Sequence, residues 1–143
     1  MRQRLLFCFV SLMAIIPSSC GNDGRLKVYP LKGQLFVDEK PAAKAFVYIH
    51  LTEGSNPSGV RPYAQVDDNG TFAFSTYVQG DGVPTGDYIL TFEWKEASGI
   101  MKNNYEGPDR LKGRFTDPKK STQKVSVGKE PKDLGRIDLS LKK

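Results

Sequence analysis

The stretch G-D-Y-I-L-T-F-E-W, residues 86–94, decides the fold of this chain. Its large apolar side chains fall on every second residue from Tyr88 to Trp94, with Thr91 and Glu93 between them on the expected outer face. Successive side chains of a β-strand point to opposite faces of a sheet. The alternation therefore predicts a strand with one buried face.

The same period of two recurs on both sides of this stretch, and no segment has a sustained period of 3.6. Asp67-Asp68-Asn69-Gly70 is the strongest turn signal, because Asn-Gly tolerates a positive φ. Pro62 indicates an edge strand. Six further strands are expected, at residues 31–37, 45–51, 60–66, 72–77, 125–127 and 137–141. Together they predict an all-β fold, a seven-stranded Greek-key β-sandwich with a long irregular loop near residues 97–121.

The N-terminal residues are expected to lie outside the sandwich. Arg2 and Arg4 precede an apolar run of twelve residues, which is typical of a secretory signal peptide and shorter than the roughly 20 residues of a membrane-spanning helix. Ser18-Ser19-Cys20 resembles the bacterial lipobox, in which the cysteine is lipidated. The predicted parts are a lipoprotein signal peptide (1–19), lipidated Cys20 with a flexible tether (20–28) and the β-sandwich (29–143). Simple secretion, with a free thiol at Cys20, is the alternative.

Export limits the partners and the chemistry of the chain. The 21 basic residues fall to 19 when Arg2 and Arg4 leave with the signal, against 16 acidic ones, for a net charge of +3. This modest charge and an exported location argue against nucleic acid as a partner. Cys8 leaves as well, so the fold is expected to depend on its apolar core without a disulfide. We expect a protein anchored by lipid in the bacterial cell envelope, on its periplasmic or cell-surface side.

Short motifs along the chain resemble a known domain family. Residues 33–47 (G-Q-L-F-V-D-E-K-P-A-A-K-A-F-V), the D-x-x-G-x-F turn at 67–72 and G-x-Y at 86–88 look like carboxypeptidase-regulatory-like domains of the transthyretin (prealbumin) type. The segments 80–88 and 111–121 resemble small envelope lipoproteins of planctomycete type. The resemblance implies a prealbumin-like sandwich. It implies little about chemistry, because such domains are mostly accessory or adhesive.

The residue inventory argues against catalysis. His50 is the only histidine, whereas a hydrolytic zinc site commonly needs three protein ligands with histidine prominent among them. A serine triad would recruit the same His50, and the G-x-S-x-G elbow is missing. Asp67, Asp68 and Asn69 offer oxygens to Ca²⁺, but the full calcium-loop motif is missing and turn chemistry explains them. We therefore predict a non-enzymatic protein with no metal and no cofactor.

The long loop carries the candidate binding residues. Basic residues outnumber acidic ones between Lys102 and Lys124, and aromatic residues are interleaved with them. The candidates are Tyr105, Arg110, Lys112, Arg114 and Phe115. The pattern indicates contact with an anionic envelope polymer or an envelope protein. The alternative is a solvated loop whose aromatic side chains pack against the domain.

A second candidate surface is a row of side chains expected on outer strand faces. Its members are Phe36, Phe46, Tyr48 and His50. A row of exposed aromatic rings marks a contact site. The favoured explanation is instead packing, with the row partly buried beneath the long loop.

These expectations favour a binding or scaffolding module at the membrane surface. The alternative comes from a different class: a transthyretin-like oligomeric carrier that holds a small ligand in a pocket between subunits. Gel filtration of the lipid-free domain separates the two hypotheses, because a monomer disfavours the carrier.

Replacing Cys20 tests the membrane anchor. In Cys20→Ala we expect the protein to move from the membrane fraction to the soluble fraction. The substitution removes the residue that would carry the acyl chains, and stable anchoring needs more than one such chain. Membrane fractionation measures the shift, and mass spectrometry of the wild-type protein detects the lipid. Unchanged fractionation, with no lipid on the wild-type protein, would contradict the lipoprotein hypothesis.

Overall fold

The computed structural model describes residues 24–54, 59–98 and 105–142. Within these ranges the chain forms ten β-strands and no helix. The strands are β1 (Val28–Tyr29), β2 (Leu31–Val37), β3 (Lys40–Pro41), β4 (Phe46–Leu51), β5 (Tyr63–Gln65), β6 (Thr71–Ala73), β7 (Val83–Pro84), β8 (Gly86–Glu93), β9 (Lys124–Val127) and β10 (Lys132–Leu139).

Two four-stranded sheets form the sandwich. In the first sheet β2 is central, with β10 on one side and β3 and β6 on the other, and the second sheet has the order β5-β4-β8-β9. β1 and β7 pair as a separate two-stranded ribbon. The predicted all-β sandwich is confirmed, and its seven expected strands correspond to β2, β4, β5, β6, β8, β9 and β10. β5 lies at a sheet edge, as Pro62 indicated.

The last strand is longer than the sequence predicted. β10 pairs with β2 in parallel, from Lys132 opposite Leu31 onward, and the register shifts between Asp133 and Arg136. Gly135 lies inside this irregularity with φ 67°. The shift interrupts the period of two, so sequence alternation located only the second half of the strand.

The core lies between the two sheets, and β8 contributes to it as expected. Phe72, Phe74 and Phe92 are its largest fully buried side chains, and the rings of the first two meet edge to face with centroids 5.8 Å apart. Thr91, expected on the outer face, is only 2% exposed. Trp94, expected in the core, is half-buried and packs against its margin.

Strand directions place the connections at two opposite ends of the sandwich. The N-terminal arm (24–27) joins at what we call the proximal end, where β1, β7 and the start of β8 lie. The connection between β2 and β4 lies at the distal end, where the Trp94 indole nitrogen donates to the Ala43 carbonyl oxygen at 2.9 Å. At about 3.3 Å per residue, the eight residues of β8 separate the two ends by about 25 Å.

Truncating the core should cost much of the stability of the domain. Phe92 is 1% exposed, so Phe92→Ala should lower the free energy of unfolding by about 3–5 kcal/mol. Val78 is 63% exposed, and Val78→Ala should change it by less than about 0.5 kcal/mol. Urea denaturation followed by circular dichroism measures both.

Dithiothreitol should leave the urea midpoint unchanged, because the sequence from residue 24 onward contains no cysteine. A lower midpoint in dithiothreitol, or equal effects of the two substitutions, would contradict this account of the core.

Candidate functional site

Four of the five candidate binding residues lie in one compact turn at the distal end. This basic turn, residues 109–115, follows the half-buried Tyr105 and lies against the end of β8. Its members among the candidates are Arg110, Lys112, Arg114 and Phe115. Tyr105 lies before the turn and is not part of it.

A carboxylate that sequence reasoning missed organises the basic turn. Asp109 accepts hydrogen bonds from three backbone N–H groups: those of Trp94 at 2.9 Å and Leu111 at 3.0 Å on Oδ1, and that of Gly113 at 2.8 Å on Oδ2. The Asp109 carboxylate is thus bound to backbone N–H groups at the turn. The available signal was an aspartate ahead of a glycine, a composition that favours tight turns.

The backbone of the turn is part of the sandwich. The Leu111 side chain is 0% exposed and belongs to the core. The Arg110 N–H donates to the Trp94 carbonyl oxygen at 2.7 Å. Lys112 and Gly113 both have positive φ, 56° and 70°, which closes the turn tightly. Residues 109–115 of the long loop are therefore held in a fixed shape.

The three basic side chains of the turn project from this rigid base, and all three residues are exposed. The Arg110 guanidinium lies over the Trp94 ring, 4.6 Å from its centroid. Arg114 donates to the Leu141 carbonyl oxygen at 2.8 Å. Within residues 24–54, 59–98 and 105–142, neither arginine nor Lys112 forms an ion pair. Their positive charge faces solvent.

Phe115 supports the turn from below. Its side chain is partly buried against the core, and its carbonyl oxygen accepts a hydrogen bond from the Phe92 N–H at 2.9 Å. The Arg114 guanidinium lies 5.7 Å from the Phe115 ring centroid. The aromatic residue thus holds a cation in place at the base of the turn.

The predicted outer row of aromatic residues is wrong as a single surface. Phe36 lies on β2 in the first sheet, whereas Phe46, Tyr48 and His50 lie on β4 in the second. The outer faces of the two sheets point away from each other. The Arg136 guanidinium lies 3.9 Å from the Phe36 ring centroid, and the rings of Phe46 and Tyr48 stack with centroids 6.1 Å apart.

His50 is held as a packing residue on the second sheet. Its Nε2 lies 2.8 Å from the Thr91 hydroxyl oxygen. Burial, with a smaller effect of nearby Arg61, lowers the pKa of the His50 imidazole. In the described part of the chain, no group of three or more His, Cys, Asp and Glu side chains is arranged to hold a metal ion.

Comparison with known proteins adds little to this geometry. No protein-family model matches the chain, and no curated protein does. A 9R-lipoxygenase from Cyanothece PCC8801 matches 79% of this chain with 12% identity and a TM-score of 0.39, over 16% of its own length. A DUF3823 family protein from Parabacteroides merdae matches 81% with 10% identity and a TM-score of 0.36, over 46% of its length. This chain thus spans less than half of either structure.

No helix among the described residues is long and apolar enough to cross a membrane. The structure itself shows a small β-sandwich domain, and the basic turn is its candidate binding site.

Removing the Asp109 carboxylate should loosen the basic turn. Asp109→Ala leaves three backbone N–H groups without their acceptor, and we expect the free energy of unfolding to fall by about 2 kcal/mol. Trp94, the only tryptophan, should become more exposed and its emission should shift to longer wavelength. Urea denaturation followed by tryptophan fluorescence measures both effects.

The control is Asp68→Ala. Asp68 is exposed and pairs with Lys44 at 2.7 Å, and loss of such a surface ion pair costs less than about 1 kcal/mol. A change of similar size in the two variants would contradict the role given to Asp109.

Proposed function

We propose that this protein is a non-enzymatic envelope lipoprotein whose carboxypeptidase-regulatory-like sandwich binds an anionic polymer of the cell envelope. In this proposal Cys20 carries the lipid anchor, and Arg110, Lys112 and Arg114 bind the polymer. The observation that supports it best is the placement of the basic turn at the distal end, opposite the N-terminal arm.

Distance from the anchor determines what the basic turn can reach. The arm joins the proximal end, about 25 Å from the distal end by the rise of the strands. Electrostatic attraction between exposed charges is screened within about 8 Å at physiological ionic strength. With the arm toward the membrane, the basic turn lies outside the field of the lipid headgroups. Its partner is therefore a component that stands away from the bilayer.

The chemistry of the turn favours carboxylate or phosphate groups. Guanidinium groups form paired hydrogen bonds with such anions, and Lys112 adds an exposed ammonium group. Asp109 and Leu111 hold the backbone of the turn before any ligand arrives. A preformed site loses less conformational entropy on binding. A repeating polyanion would bring several anionic groups to these cations at once.

Binding is tested with a double variant, Arg110→Gln with Lys112→Asn. Asparagine tolerates the positive φ of position 112, and Arg114 is left in place because it supports the Leu141 carbonyl oxygen. We expect the lipid-free variant to bind detergent-extracted envelope material about tenfold more weakly than wild type, given about 1 kcal/mol or less for each exposed charge pair. Sedimentation at low and moderate salt measures binding.

The matched control is Lys40→Ser with Lys142→Ser, which removes two positive charges from exposed positions outside the turn. We expect this control to bind like wild type, and wild-type binding to weaken as salt is raised. Equal binding by all three proteins, insensitive to salt, would overturn the proposed role of the basic turn.

A further inference from the structure

The turn of residues 76–81 at the proximal end carries Val78, the most exposed large hydrophobic side chain of the described residues. The large hydrophobic side chains with high exposure in residues 24–54, 59–98 and 105–142 are Tyr63, at 49%, and Val78, at 63%. Both line one open groove of about 540 Å³, which runs along the side of the sandwich from Lys44 to Tyr77 and Val78 at the proximal end.

The exposure of Val78 is built into the fold of its turn. The Asp81 carboxylate accepts hydrogen bonds from the N–H groups of Thr76 at 2.7 Å, Tyr77 at 3.0 Å and Val78 at 3.1 Å. Although burial raises the pKa of Asp81, these bonds outweigh it and hold the pKa below its usual value. These hydrogen bonds fix the turn with the Val78 side chain pointing outward. The Asp81 carboxylate is bound to backbone N–H groups of the turn.

The N-terminal arm adds cations to the same end. The Arg25 guanidinium lies over the Tyr77 ring, 5.3 Å from its centroid, and the Leu26 N–H donates to the Tyr77 hydroxyl oxygen at 2.9 Å. The Lys27 ammonium lies 5.4 Å from the Tyr29 ring centroid. Arg25 and Lys27 are exposed, and Leu26 between them is half-buried. The arm is thus held on the sandwich with its basic side chains outward.

This combination suits the boundary of a lipid bilayer. Tyrosine rings are enriched at the level of the headgroups, and lysine and arginine side chains place their charges there while their aliphatic stems cover apolar surface. A short exposed aliphatic side chain such as Val78 can enter the acyl boundary beside them. The cations give the surface a preference for anionic lipids.

Chain length keeps the proximal end close to the bilayer if Cys20 is acylated. Cys20 and Gly24 are four residues apart in the sequence, a span of at most about 14 Å when fully extended. We infer that the proximal end docks directly on an anionic phospholipid surface through Arg25, Lys27, Tyr77 and Val78. The inference rests on the proposed lipidation for its orientation, while the docking surface is defined by the contacts above.

Vesicle binding of the lipid-free chain tests this docking. The protein used in this test begins at Gly21, so it lacks Cys20 but retains all ten described strands and the core. We expect it to sediment with phosphatidylcholine vesicles that contain phosphatidylglycerol, and much less with phosphatidylcholine alone. Arg25→Ser with Lys27→Ser should weaken binding about 25-fold, at about fivefold for each basic residue. Val78→Asp should weaken it several-fold.

The control again removes two lysines, Lys40→Ser with Lys142→Ser, and should bind vesicles like wild type. Thermal unfolding of each variant confirms that it is folded. Absence of wild-type binding to anionic vesicles, or equal losses in the two double variants, would overturn the proposal. The proposal would also be overturned if gel filtration showed that the wild-type protein is a dimer and that Val78→Asp acts by converting it to a monomer. Because this protein lacks Cys20, failure here is distinct from failure of the anchor, which the fractionation of Cys20→Ala tests separately.

Discussion

The rest of this domain depends on the apolar layer between the two sheets, because the described residues contain no disulfide that could join them. Both cysteines, Cys8 and Cys20, precede the described residues. The layer also constrains the backbone: a Cβ at Gly33 would lie 2.9 Å from the Phe72 ring, so β2 must be bare at that point for the ring to fit. Phe72 from the first sheet and Phe92 from the second are both buried between the sheets. Their burial thus supplies the stability that a disulfide gives to many small exported domains.

The same core fixes the distance between the proximal and distal ends. β8 runs from the proximal end to the distal end. Phe92 near its end and Trp94 just after it hold the basic turn through backbone hydrogen bonds. At the other end β1 crosses Gly82 so closely that a Cβ there would collide with the Tyr29 carbonyl group. Each end is therefore rigidly attached to the strands. A partner that contacts one end therefore lies at a fixed distance from the other end.

The sequence predicted seven of the ten strands, because one face of each is buried and a period of two follows from that burial. The two-residue strands β1, β3 and β7 are too short to show such a period. The sequence predicted β10 only in part, since the irregularity at Gly135 shifts the alternation. It could locate the basic candidates but not Asp109 as their support, because the three N–H groups that Asp109 binds come from positions up to 15 residues away. The sequence analysis also wrongly placed Phe36 and Phe46 in one row. A strand pattern shows which face of its strand a residue occupies, but it does not show to which sheet the strand belongs.

Charges, a register shift and backbone pairing protect three edges of the sandwich. An unpaired strand edge is a ready site for association with another chain unless charges or bulges protect it. At β9 the Lys132 ammonium donates to the Ser126 carbonyl oxygen at 2.7 Å, and β10 has both its register shift and the Arg136–Asp138 ion pair at 2.7 Å. At β5 the backbone of Tyr63 pairs with Ser75. The cations of the basic turn and of the N-terminal arm lie instead at the two opposite ends of the sandwich, each held there by hydrogen bonds to its strands or turns.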